Sequence, residues 1–235
     1  MHLVERPSPN HNARREGAPI DLLLLHYTGM VDAETALARL CDPAAKVSAH
    51  YTIDEAGTVY RHVDESARAW HAGVSYWAGE RDINTRSIGI ELVNPGHDLG
   101  YRPFPRAQME ALVELARGIL ARHKIPAARV LAHSDVAPGR KVDPGEKFDW
   151  ADLARQGIGL FPAGYRVPAQ TPPIGDLQTM LARFGYGCPV TGIFDDETRT
   201  VLSAFQRHYR PHKFSGNPDA DSAGRIEFLL DRAGL

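Results

Sequence analysis

The chain has 235 residues, 43% apolar and 24% charged, with a formal net charge of -2, so it can hold one large domain or two modest ones. That near-neutral balance argues against a nucleic-acid-binding surface and against a polybasic membrane anchor. Its two cysteines, Cys41 and Cys188, exclude a disulfide framework and a Cys-x-x-Cys metal site.

The polar start, residues 1–16, carries Pro7 and Pro9 and shows no apolar signal core. As given, the chain reads as cytoplasmic; removal of a signal would make the cell envelope its place. The longest apolar run, Ile20 to Leu25, is interrupted by Asp21 and too short for a transmembrane segment. Leu22 to Leu25 reads as a fully buried strand with His26 at its end. Asp32 to Leu40 is expected to be a short helix, with Asp32 as N-cap and Pro43 beyond its end. Ser48 to Asp54 alternates at strand spacing, Glu55-Ala56-Gly57 is a turn, and Thr58 to Val63 returns as the second arm of a hairpin.

Ser87 to Val93 alternates again, with Ile88, Ile90 and Leu92 on one face and Gly89 and Glu91 on the other. Pro105 to Lys124 is the clearest helix, since Met109, Leu112, Val113, Ala116, Ile119 and Leu120 recur at three- and four-residue spacing. Arg129 to Ala132 is a short strand that delivers His133. The segment 132–145, rich in proline and glycine, is expected to be loop rather than helix. Intermixed strands and helices through residue 155 predict an α/β fold, a mixed central sheet flanked by helices.

Residues 157–174, with Pro162, Pro168, Pro172 and Pro173, read as a linker between a domain over 1–156 and a second over 175–235. The second carries helical patterns over Asp176 to Phe184, Asp196 to Tyr209 and Ser222 to Asp231, which predict a small three-helix bundle.

His26 and His133 both end strands, and the 132–145 loop can fold back so that Asp143 joins them around one metal ion. Two imidazoles and one carboxylate leave a coordination position open, as catalytic zinc sites do. Glu91 then suits a general base, with a solvated strand carboxylate as the plain alternative. Lys141 lies two residues before Asp143, so an extended loop points both side chains one way, towards a developing oxyanion; a surface lysine is the alternative. Trp70-His71-Ala72-Gly73 suits either a wall that stacks on substrate or a buried aromatic anchor, and His50 is equally open. The remaining histidines, His208 among them, read as surface or packing residues, and Asp135 and Arg140 as residues that shape the loop.

Five segments together resemble a known family: Leu23 to Thr28, Val47 to Tyr51, Ala69 to Ser75, Ser87 to Leu92 and Ala132 to Gly145. In order and content they look like the zinc-dependent N-acetylmuramoyl-L-alanine amidases of the AmpD/AmiD type, over roughly residues 20–155. That family cuts the amide between the lactoyl group of N-acetylmuramic acid and the L-alanine of the stem peptide. The resemblance implies one Zn2+ per chain held by His26, His133 and Asp143, with Glu91 as catalytic carboxylate and Lys141 on the oxyanion. It also places His50, Trp70, His71 and Asn84 near the substrate groove. Asp176-Leu177-Gln178, Phe184-Gly185-Tyr186, Thr191 to Asp195 and Ala204-Phe205-Gln206 resemble the three-helix peptidoglycan-binding domain. The pairing resembles the AmiD-like branch, which acts on intact wall as well as on anhydro-muropeptides. A monomer acting on peptidoglycan or muropeptides is therefore expected. The rival readings are a peptidoglycan-recognition protein that binds without cutting, whose members typically lack a ligand, and a zinc deacetylase of wall sugars.

Overall fold

A computed structural model of the chain describes residues 2–235. In chain order they form strands β1 (His2–Glu5), β2 (His11–Ala13) and β3 (Leu22–Tyr27), helix α1 (Ala33–Cys41), strands β4 (Tyr51–Ile53), β5 (Thr58–Arg61) and β6 (Ala67–Ala69), helix α2 (Ile83–Arg86), strand β7 (Ser87–Leu92), helices α3 (Gly96–Leu99) and α4 (Arg106–His123), strand β8 (Val130–Ala132), and helices α5 (His133–Val136), α6 (Trp150–Arg155), α7 (Ile174–Phe184), α8 (Asp196–Tyr209) and α9 (Ala220–Ala233). No helix among the described residues is long and apolar enough to cross a membrane.

Six strands make one mixed sheet in the order β1-β5-β4-β7-β3-β8, and β2 pairs with β6 beside it. The hairpin of β4 and β5 is antiparallel, whereas β3 runs parallel to both β7 and β8. This is the mixed α/β sheet expected from the intermixed pattern. β3, flanked by a strand on each side, explains why four leucines stand in a row. Successive side chains of a strand point to opposite faces, and here both faces are covered. Leu23 and Leu25 pack with Ile88, Ile90 and the α4 residues Leu112, Ala116 and Ile119. Leu22 and Leu24 turn the other way and join a core that includes Leu131, Leu177, Leu181, Phe205 and Ile226. The C-terminal helices thus bury their apolar stripes against the sheet as well as against one another. Of residues 157–174, read from sequence as a linker, 157–173 form no helix or strand and Ile174 opens α7.

One local expectation is corrected. The 132–145 segment does not begin as a loop, because His133–Val136 forms a helical turn. The proline that argued against helix, Pro138, lies beyond the end of that turn, where it breaks nothing. The Asp135 carboxylate accepts a hydrogen bond from the Ala132 N–H at 2.8 Å and closes the start of the turn.

Candidate active site

The parallel pairing of β3 with β7 and β8 brings their C-terminal ends to one edge of the sheet, the usual place for a ligand in α/β folds. Register then decides which side chains meet. His26 is paired with Glu91, so both point to the same face, side by side on neighbouring strands. Leu25 is paired with Ala132, which delivers His133 next to His26. The Ser134 N–H donates to the Asp143 carbonyl at 3.1 Å and folds the loop back, so that Asp143 closes the triangle.

The resulting edges are short. His26 Nδ1 lies 2.9 Å from His133 Nδ1 and 3.2 Å from Asp143 Oδ2, and His133 Nδ1 lies 3.0 Å from the same oxygen. All three residues are buried. Two facing imidazole nitrogens and a carboxylate oxygen offer three lone pairs to one point, an arrangement that a cation stabilises.

The outer ring nitrogens decide whether those lone pairs are free. His133 Nε2 donates to the Ala72 carbonyl at 3.0 Å. His26 Nε2 lies 3.0 Å from His71 Nδ1, and His71 Nε2 lies 3.3 Å from the Ser87 hydroxyl. Ser87 Oγ donates to the Ile83 carbonyl at 2.7 Å, so that hydroxyl accepts from His71, and His71 accepts from His26. Protons along this chain point outward, which leaves both Nδ1 atoms bare. Burial, aided by neighbouring His133, pushes the His26 imidazole down to about 4 and keeps it neutral near pH 7. Burial works to raise the Asp143 carboxyl, but His133 and His26 together hold it well below the usual carboxylate range. Two imidazoles, each held from behind through its outer nitrogen, and a carboxylate fit a three-ligand zinc site with an open position.

Glu91 stands beside this triangle, and its Oε2 is buried with no hydrogen-bond partner. Burial raises the Glu91 carboxyl well above its usual range, the Asp143 charge adds to the rise, and Lys141 opposes it. A cavity of about 480 Å³ opens over the site, lined among others by Tyr27, Arg39, Glu91, His133, Lys141 and Asp143. The ligand loop is fastened from outside. The Tyr101 hydroxyl donates to the Pro144 carbonyl at 2.7 Å and accepts from the Lys147 N–H at 2.9 Å.

Of the four residues assigned to the substrate groove, His71 lines the cavity, and it also backs His26. The other three are not among the residues that line it. His50 is fully buried; its Nδ1 accepts from the Gly89 N–H at 2.9 Å, and burial, with the Arg14 guanidinium nearby, pushes its imidazole down to about 3. Asn84 Oδ1 accepts from the N–H groups of His71 and Ala72 at 3.0 and 2.8 Å and so shapes the loop behind the site. Trp70, half-buried, donates its indole N–H to Asn12 Oδ1 at 2.7 Å. Sequence reasoning missed Tyr27 and Arg39 as cavity residues, and nothing in their spacing marks them. Arg140 shapes the loop as expected, since its guanidinium donates to the Val74 carbonyl at 2.7 Å and to the Ala72 carbonyl at 2.5 Å.

Residues 16–146 match the family described as "N-acetylmuramoyl-L-alanine amidase", and residues 170–223 match one described as "Putative peptidoglycan binding domain". The chain is 37% identical over 256 residues to the N-acetylmuramoyl-L-alanine amidase AmiD of Escherichia coli, covering 99% of this chain and 91% of that protein. It is 37% identical over 164 residues to the 1,6-anhydro-N-acetylmuramyl-L-alanine amidase AmpD of Enterobacter cloacae, covering 62% of this chain and 84% of that protein. The structure of E. coli AmiD in complex with the substrate anhydro-N-acetylmuramic acid-L-Ala-D-gamma-Glu-L-Lys superposes with a TM-score of 0.83 at 37% identity, over 94% of this chain and 93% of that one. AmpDh3 of Pseudomonas aeruginosa, in complex with anhydromuramic pentapeptide, superposes with a TM-score of 0.81 at 34% identity, over 91% of this chain and 92% of that one.

Proposed function

Since the chain belongs to the N-acetylmuramoyl-L-alanine amidase family, whose members are in general zinc-dependent, we propose a division of labour among its residues for that hydrolysis. The protein hydrolyses the amide between N-acetylmuramic acid, or its 1,6-anhydro form, and the L-alanine of the stem peptide, in wall turnover or recycling. The observation that carries the proposal is the convergence of His26, His133 and Asp143 beside the buried, unpartnered oxygen of Glu91.

One zinc ion per chain, held by His26, His133 and Asp143, would polarise the lactoyl carbonyl and acidify water from a pKa of ~15.7 to about 7. Glu91 accepts the proton of the attacking water as its oxygen bonds to the carbonyl carbon, then returns a proton to the leaving alanine nitrogen as the C–N bond breaks. Burial, which raises its proton affinity, suits the first of these steps. Lys141 places a positive charge on the cavity wall, where the tetrahedral intermediate gathers negative charge. His71 and the Ala72 carbonyl hold the two imidazoles in the tautomer that keeps Nδ1 bare. The ligand set, Glu91 and Lys141 all come from one chain, so a monomer suffices for the reaction. The C-terminal helices hold the enzyme on polymeric wall, which raises local substrate concentration without altering the chemical step.

The test is product analysis with soluble anhydro-muropeptide. The account expects free stem peptide in the mass spectrum, its release abolished by a chelator and restored by about one equivalent of zinc. Release that survives complete removal of zinc would contradict it.

A Cβ on Gly89 would stand 2.5 Å from the His71 Cγ and Nδ1 atoms, closer than real contacts allow. His71 is buried against His26, so Gly89→Ala must push the ring off its hydrogen bond. We expect zinc affinity to fall roughly 10- to 100-fold, the usual cost of losing the partner behind a ligating histidine. Competition with a chromogenic chelator measures it, and wild-type affinity in Gly89→Ala would deny His71 that role.

A further inference from the structure

Asp135 lies two residues beyond His133, on the helical turn that His133 begins, and is fully buried. Its oxygens are divided between two parts of the chain. Oδ2 accepts from the Ala132 N–H, the residue that precedes His133. The same oxygen lies 2.6 Å from His208 Nδ1, near the end of α8. Oδ1 accepts from the Tyr186 hydroxyl at 2.5 Å, just past the end of α7.

Both donors are themselves held in place. The His208 ring is stacked between Trp150, at 3.7 Å, and Tyr209, at 3.8 Å between centroids. The Tyr186 ring meets Trp77 edge-on at 4.9 Å. The neighbouring Gly185 carbonyl accepts from the Ala78 N–H at 2.8 Å. A Cβ on Gly185 would stand 2.5 Å from the Trp77 ring, so the two chain segments are in close contact. A module attached only by a flexible tether would show none of this.

We propose that Tyr186 and His208 are positioning residues of the amidase site: they fix Asp135, Asp135 fixes the turn, and the turn aims His133 at the metal. The C-terminal helices then have a second task beside their hold on the wall. A four-residue helical turn has little stability of its own, because helix nucleation is costly and so short a helix gains few bonds from propagation. Outside donors that bind the carboxylate closing that turn therefore decide how sharply His133 is held. Positioning of a metal ligand within about 0.5 Å requires such support. The inference rests on His133 being a zinc ligand.

The test uses the full-length protein with two substitutions that keep ring packing. Tyr186→Phe removes one hydroxyl and keeps the contact with Trp77; His208→Phe keeps the stack on Trp150 and removes the donor. Zinc affinity is read by chelator competition, and kcat and KM on soluble anhydro-muropeptide, a substrate that needs no hold on polymer. Thermal melts confirm that each variant is folded at assay temperature. We expect Tyr186→Phe to weaken zinc binding several-fold and the double variant roughly 10- to 100-fold, with kcat lowered and KM little changed. His208→Asn, whose amide can still donate near the Nδ1 position, should recover much of the loss. A folded double variant that binds zinc and turns over as wild type does would overturn the inference alone. A wild-type protein without zinc affinity would overturn the ligand assignment, and this inference with it.

Discussion

Glu91→Gln lowers kcat on muropeptide by about 10²- to 10⁴-fold, the range a general acid–base residue contributes, while the purified variant keeps its wild-type zinc content. The reasoning is geometric. Glu91 sits on β7 directly beside His26 on β3 but is not among the three residues that converge on the metal position. Glutamine keeps the shape and removes proton transfer. Little binding energy is lost, so KM stays near its wild-type value and the loss appears equally in kcat and kcat/KM. Zinc analysis and steady-state kinetics on the same preparation settle it. Wild-type turnover in the variant would remove Glu91 from the chemistry and leave the metal site without its base.

His133→Ala should lose zinc and turnover together, and Asp143→Ala should do the same. Each residue supplies one corner of a triangle whose edges are 2.9, 3.0 and 3.2 Å, so no remaining pair can close around an ion as the three do. A thermal readout separates metal loss from misfolding. A ligand that binds only the folded state stabilises it by about 4 kcal/mol at a thousandfold excess over its Kd. Zinc should therefore raise the melting temperature of the wild type and leave that of folded His133→Ala almost unmoved. A variant that holds one equivalent of zinc at wild-type affinity would show that the ligand set is wrong.

The legible parts of the site are those whose local pattern carried the geometry. Four leucines followed by His26 announce a strand buried on both faces that ends in a polar group, and the alternation around Glu91 fixes the face it shares with His26. Parity along a strand survives folding, so these placements are legible in the chain itself. Other features depend on partners distant in sequence. Strands β1 and β2 are largely exposed and carry no alternating apolar signal, so their pairing with β5 and β6 left no trace in the pattern. His50 and Asn84 neighbour motif residues in the chain, but their side chains point into the fold; motif proximity does not specify a face. The turn at His133 was hidden by Pro138 and Gly139, whose effect begins only after the turn ends.

The C-terminal helices show the same limit at larger scale. Their apolar spacing identified each of them, and Asp196 to Tyr209 was bounded as observed. What the spacing could not reveal is that they share one core with Leu22 and Leu24, or that Tyr186 and His208 end on Asp135. The proline-rich stretch before them marks a boundary but not how the two parts meet; the continuous core and the shared carboxylate couple the helices to the sheet.

The most direct test is an anomalous difference map at the zinc edge from crystals of the full-length protein grown with zinc. The account predicts one strong peak per chain, at roughly 2.0–2.2 Å from His26 Nδ1, His133 Nδ1 and an Asp143 carboxylate oxygen, with the Glu91 carboxylate beside it and not bound to it. A map with no peak among those three residues, or with zinc held by a different set, would contradict it.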